Sequence, residues 1–135
     1  MDMSENFEYF VDEEKRTVVA VLSLPPTCIM EEACSIINKG TGSHFVIDDI
    51  SFQTNMLIKG EYVGKAVCHP NDTFDADKGM RIAKIKALRA YLNDRQTVVN
   101  RLNKIFNNVA TRIGAMKTYT EHSKRHLDNC LKEFS

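Results

Sequence analysis

An aromatic ring set among asparagine, aspartate and proline, with arginines following at helical spacing, can hold an anionic ligand that carries a base. This chain has that arrangement in residues 64–90, GKAVCHPNDTFDADKGMRIAKIKALRA. Phe74 stands alone in the turn, His69 lies at its start, and Arg81, Lys84 and Arg89 follow; Arg101 comes about three helical turns later. A guanidinium grips phosphate through a bidentate fork, and an aromatic face stacks on a base. The start of the helix, Asp77 to Arg81, adds backbone N–H groups that can face an anion. Phe74 has two readings: a hydrophobic staple folded onto the helix, or a flat platform offered to a ligand. Together these residues are the components of a nucleotide pocket, with Phe74, Arg81, Lys84, Arg89, Arg101 and His69 as candidate ligand-binding residues.

Catalysis finds fewer components. No nucleophile elbow or triad spacing occurs. The adjacent acids Glu13-Glu14, Glu31-Glu32 and Asp48-Asp49 diverge from each other and read as solvated faces or turn caps. His122 and His126 sit four apart on a predicted helix, but lack a nearby third metal ligand. His69 is the best proton carrier on offer, though a turn-stabilising role is the commoner use of such a residue. Gly40-Thr41-Gly42 precedes a strand and lacks a P-loop lysine. Neither catalytic residues, nor a metal, nor a cofactor is expected.

The elements that must position these residues divide by charge. The 135-residue chain has zero net charge, but residues 1–77 hold five Lys/Arg against fourteen Asp/Glu, a net −9. Residues 78–135 hold thirteen against four, a net +9. The length suits one domain, 1–135, with an acidic sheet region over 1–76 and a basic long-helix region over 77–135. The dipole suits attraction between halves or subunits, or an anionic partner for the basic helix. Cysteines 28, 34, 68 and 130 form no C-x-x-C pair, and no apolar run reaches eighteen residues. The acidic start MDMSENFEYF lacks the pattern of a signal peptide, so the expectation is a reduced, cytoplasmic protein with unbridged thiols.

Residues 7–11 and 17–22 predict a hairpin around DEEKR. After Pro25-Pro26, Thr27 is placed to cap a short helix that stops at Lys39-Gly40. Strands are predicted over 45–47, 51–58 and 61–69, the last two joined at Lys59-Gly60. From Asp77 the chain lacks proline and is rich in helix formers. From Ile85 to Phe134, apolar residues recur on alternating three- and four-residue steps, interrupted at Arg95, Thr120 and Ser123. A second file, Ile82, Tyr91, Val98, Ile105 and Tyr119, widens that face. This period predicts helix-on-helix packing, in one long helix or in a pair broken at Asn93-Asp94 or Gly114. So long a face exceeds what a small sheet can cover and implies a partner helix, most simply from a second copy. The expected fold is α+β: an N-terminal antiparallel sheet with a short inserted helix, then long C-terminal helices packed between subunits.

The run G-K-A-V-C-H-P-N-D-T-F-D…K-G-M-R-I-A…L-R-A resembles the sheet-to-helix turn of the phage Thoeris anti-defence (Tad) sponge family. The resemblance covers residues 61–90, and the helical segment 25–43 has no match in it. It implies a non-enzymatic homo-oligomer, from a dimer up to a hexamer, of sheets with long helices. Such proteins capture the cyclic ADP-ribose-type signal of bacterial TIR-domain enzymes without breaking it, and some take cyclic oligonucleotides. The setting implied is the host cytoplasm during infection, with no membrane and no nucleic acid as partner. A phage inhibitor that binds a protein or nucleic acid directly, in the manner of an anti-CRISPR, is the competing reading. A nucleotide hydrolase using His69 and Asp72 is the third. Salt dependence separates the second from the first, and conversion of the ligand separates the third.

Overall fold

The computed structural model describes residues 4–25, 27–44, 46 and 56–134. After a 3₁₀ turn, Ser4–Asn6, the elements are β1 (Phe7–Asp12), β2 (Thr17–Ser23), β3 (Thr27–Cys28), α1 (Ile29–Thr41), β4 (Leu57–Ile58), β5 (Glu61–Val67) and α2 (Ala76–Lys132). The protein is thus α+β, an N-terminal three-stranded antiparallel sheet followed by a long C-terminal helix. Contacts group into two compact units, Met1–Val99 and Asn100–Ser135.

The expected hairpin forms, with β1 antiparallel to β2 and Phe7 opposite Leu22. β2 then takes β5 as its other neighbour, Val18 opposite Ala66 and Ala20 opposite Gly64, so the sheet order is β1-β2-β5. Strict alternation on β5 buries Tyr62, Gly64 and Ala66 and exposes the residues between them. Strand alternation also sends Val18, Ala20 and Leu22 of β2 inward, where all three are fully buried. β3 and β4 make a separate two-stranded ladder, Thr27 opposite Ile58 and Cys28 opposite Leu57. Residues 45 and 47 of the strand expected at 45–47, and most of the one expected at 51–58, lie outside the described residues.

β5 ends at Val67, two residues short of the expected strand, and both boundaries of α1 differ from the sequence reading. Thr27 belongs to a strand, and Cys28 takes the N-cap place of α1 without a side-chain cap bond. At the other end, α1 passes Gly40 and stops at Gly42, which adopts φ 68°. That left-handed conformation costs glycine nothing, and its N–H closes on the Asn38 carbonyl at 2.8 Å.

α2 is continuous for 57 residues, so neither Asn93-Asp94 nor Gly114 breaks it. Asparagine and aspartate are only weak helix breakers, and one glycine costs about 1 kcal/mol, less than the surrounding formers supply. Thr97, Thr111, Thr118 and Thr120 turn their hydroxyls back onto carbonyls four residues earlier. In the first unit α2 lies on the sheet through its smallest residues. Ala83 and Ala87 are fully buried, and a Cβ on Gly64 would come within 2.0 Å of the Ala83 carbonyl oxygen and 2.6 Å of the Ala87 nitrogen. Gly79 also sits close, to the Val18 side chain, where an added Cβ would meet Cγ2 at 2.7 Å. Val18, Ala20, Ala66 and Ala83 form the core beneath, with Phe7, Tyr9, Phe74 and Met80 packed around it. Farther along, Tyr62 and Tyr91 meet edge-on with ring centroids 5.5 Å apart, and the Arg95 guanidinium grips Glu32 of α1 at 2.9 and 3.0 Å.

Candidate ligand site at the strand-to-helix turn

The turn between β5 and α2 is shaped by a residue from the opposite hairpin. Arg16 closes the β1–β2 turn at φ 54°, the single positive φ outside glycine among the described residues. From there its guanidinium reaches across to residues 68–72. Nη2 donates to the His69 carbonyl and Cys68 Sγ, both at 3.3 Å, and to the Asp72 carbonyl; Nη1 donates to the Pro70 carbonyl at 3.3 Å. The main chain adds a bond from the Cys68 N–H to the Arg16 carbonyl at 2.9 Å. Within the turn, Asp72 N–H closes on the His69 carbonyl at 3.0 Å, and Asn71 N–H donates to His69 Nδ1 at 3.2 Å.

α2 then starts on an aspartate cap. Asp75 Oδ1 accepts the Lys78 N–H at 3.2 Å, and the Asp75 carbonyl accepts Gly79 N–H at 3.0 Å. An N-cap carboxylate supplies the negative charge that the helix N-terminus favours, and Asp77 adds another in the first turn. The anion place expected at Asp77 to Arg81 is therefore answered in large part by the chain itself.

A cavity of about 220 Å³ lies where these pieces meet. Val18, Ala66 and Phe74 form its apolar side, with His69, Asp72, Asp75 and Lys78 among its polar groups. Phe74 is half-buried and packs on the core, so the staple side of its two readings is the one its contacts show. His69 is exposed, with Nδ1 engaged by the turn.

Of the six candidate residues, the cavity brings together Phe74 and His69. Arg81, Lys84, Arg89 and Arg101 do not line it. Arg81 and Arg89 are exposed on α2. Together with Ile85 they sit on the side of the helix turned away from Ala83 and Ala87, as spacing at 3.6 residues per turn requires. Lys84 leans the other way, its Nζ 5.5 Å from the centre of the Phe7 ring. Arg101 is exposed and belongs to the second unit. Arg16 and Lys78 were missed by the sequence reading. Lys78 carried a signal, since it opens the same helix; Arg16 carried none, because its role depends on strand pairing that brings positions 52 to 56 residues away against it.

A larger hollow of about 610 Å³ follows α1, near Cys28, Glu31, Cys34, Lys39 and His44. Its charged lining is one lysine against one glutamate, with His44 beside them, and none of the six candidate residues lines it. Among the described residues no three His, Cys, Asp or Glu side chains converge as metal ligands, and none of the four cysteines is bridged to another. No described helix is long and apolar enough to cross a membrane. Comparison with protein-family models, curated proteins and solved structures returns no match to this chain.

Proposed function

We propose that this protein is a non-enzymatic sponge that sequesters a cyclic nucleotide signal, a cyclic ADP-ribose isomer or a cyclic oligonucleotide, and so blocks a bacterial anti-phage defence from within the host cytoplasm. The observation that carries the reading is the turn cavity at the start of the basic helix. Phe74 supplies an apolar wall and Lys78 a cation in the lining, and two exposed arginines, Arg81 and Arg89, follow on the helix that leaves the turn. At about 220 Å³ the cavity is smaller than the roughly 300–1,000 Å³ of pockets that enclose a small molecule. It suits one part of a nucleotide, a base or a ribose. The remainder of the enclosure would come from a second copy, which makes the functional unit a homo-oligomer. His69, tied into the turn through Nδ1, serves shape in this reading and transfers no proton.

The test is capture of a panel of cyclic nucleotides, followed by heating of the bound fraction and identification of what is released by mass. The ligand should return intact. Arg81→Ala and Arg89→Ala should each weaken capture about ten- to hundredfold with little change in melting temperature, since exposed helical arginines add little stability. Full capture by both variants would dismiss the site. A ligand returned cleaved would indicate a hydrolase. Tight binding to nucleic acid that falls steeply with salt would favour a macromolecular target along the basic helix.

A further inference from the structure

We infer that two copies of this chain pair through an antiparallel coiled coil along α2, in the register that sets Arg95 against the partner's Thr120. This rests on the self-association in the reading above, and adds the direction and the register. The observation is a seam that the fold covers only in part. α2 buries Ala83, Ala87, Tyr91, Val98 and, at one seam position, Leu102, yet Ile85 is 64 % and Leu92 55 % exposed. In the second unit Met116 is 68 % and Leu127 62 % exposed. Numbering heptads with Ile85 at a and Leu88 at d, one phase runs unbroken to Phe134. Eight of the eleven exposed large apolar residues from Ile82 onward fall at a or d. Two positions in seven would take about three of them by chance. From Ile85 to Cys130 the seam is about 70 Å long at helical rise and about 10 Å wide, or about 700 Å². That approaches the roughly 800 Å² per partner of a stable interface.

Charge decides the direction. A parallel, in-register pair would set Arg95 on the partner's Arg95 inside the seam. Its flanks would oppose Lys84 to the partner's Arg89 and Arg112 to the partner's Lys117, all like-charged. In an antiparallel pair each a position faces a d. With the two-fold axis between Asn107 and Asn108, Arg95 faces the partner's Thr120, Leu92 the partner's Ser123, and Ile85 the partner's Cys130. The three polar interruptions thus fall in adjoining layers. Arg95 enters them already ion-paired to Glu32, so no unpaired charge is buried. At the flank Lys84 meets the partner's Glu133, and the one like-charged pair, Arg89 with the partner's Lys124, lies in solvent. Sliding by one heptad either way sets Arg95 against the partner's Ile113 or the partner's Leu127. A register centred nearer the C-terminus would match Thr120 to the partner's Ser123, but leaves Ile85, Leu92 and Val99 uncovered.

Cys130 makes the register testable with single substitutions at exposed positions. Mild oxidation of the Ile85→Cys chain should yield a covalent dimer whose digest holds the new thiol bridged to Cys130. Wild-type chain should give no Cys130–Cys130 bridge, and Ile113→Cys should give none to Cys130. A Cys130–Cys130 bridge in the wild type would show parallel helices and overturn the inference. A bridge from the Ile113→Cys position to Cys130 would show the C-terminal register and overturn it too. Failure of Ile85→Cys to bridge, or a monomer mass for the wild type by light scattering at micromolar concentration, overturns it as well. Nucleotide capture is scored separately on the wild-type sample, so loss of this register and loss of the sponge reading remain distinguishable.

Discussion

Arg16 is the most exacting residue of the described structure. Its side chain holds four acceptors of the 68–72 turn, its backbone sits at φ 54°, and its Nε is buried with no partner among the described residues. Arg16→Ala should cost about 2–3 kcal/mol, read from the urea midpoint, and should speed amide exchange across the turn. Arg16→Gly should be about 1 kcal/mol milder, because glycine removes the left-handed strain that alanine keeps. If the two variants unfold alike, the backbone strain is not real. Tyr62 gives a pH-dependent counterpart. Its hydroxyl donates to Asp94 Oδ2 at 2.5 Å; burial first, then that bond and the carboxylate's charge, hold the phenol above its ordinary pKa. Above pH about 10 the unfolded chain loses this proton while the folded chain keeps it. Stability should therefore be fully present below that pH and fall by about 1.4 kcal/mol per unit above it. Tyr62→Phe should be less stable at neutral pH, with a shallower alkaline decline in chemical denaturation.

At the scale of elements, the helix lies on the sheet by backbone proximity. Gly64→Ala would drive a methyl into the Ala83 carbonyl, and neither the strand nor the helix main chain can yield cheaply. The expected loss is about 3 kcal/mol or more, seen as a lowered melting temperature. This contact also shows what could be read in the sequence. The hairpin and the long helix were legible, because each is a periodic pattern of large apolar residues. The face of α2 that meets the sheet was not, because it is built largely of alanines opposite a glycine, and small residues give no periodic signal. The large apolar file from Ile85 was correctly seen as an excess face, but it is not the one that closes the core. Phe74 was recognised as unusual; choosing between staple and platform required knowing that Val18 and Ala66 would be brought beneath it.

For the whole molecule, the exposed seam makes association and folding separable. Val109 is 47 % exposed, so Val109→Asp should leave the sheet unit folded while shifting the assembly toward monomer in light scattering. Unfolding of the sheet with dissociation would instead mean that the two events are one. If the cavity is completed by a second copy, the same variant should lose nucleotide capture although no residue of the turn has changed.

The manner in which Arg16 holds the turn has a consequence for how this site can change over generations. Three of its four acceptors are main-chain carbonyls, which every amino acid carries. The contour of residues 69–72 therefore depends little on which side chains stand there. A substitution at Asp72 can alter what the rim recognises while the loop keeps its path, whereas His69 also holds the Asn71 N–H through its side chain. Ligand preference can drift at Asp72 without a refolding penalty, provided the arginine in the neighbouring hairpin stays.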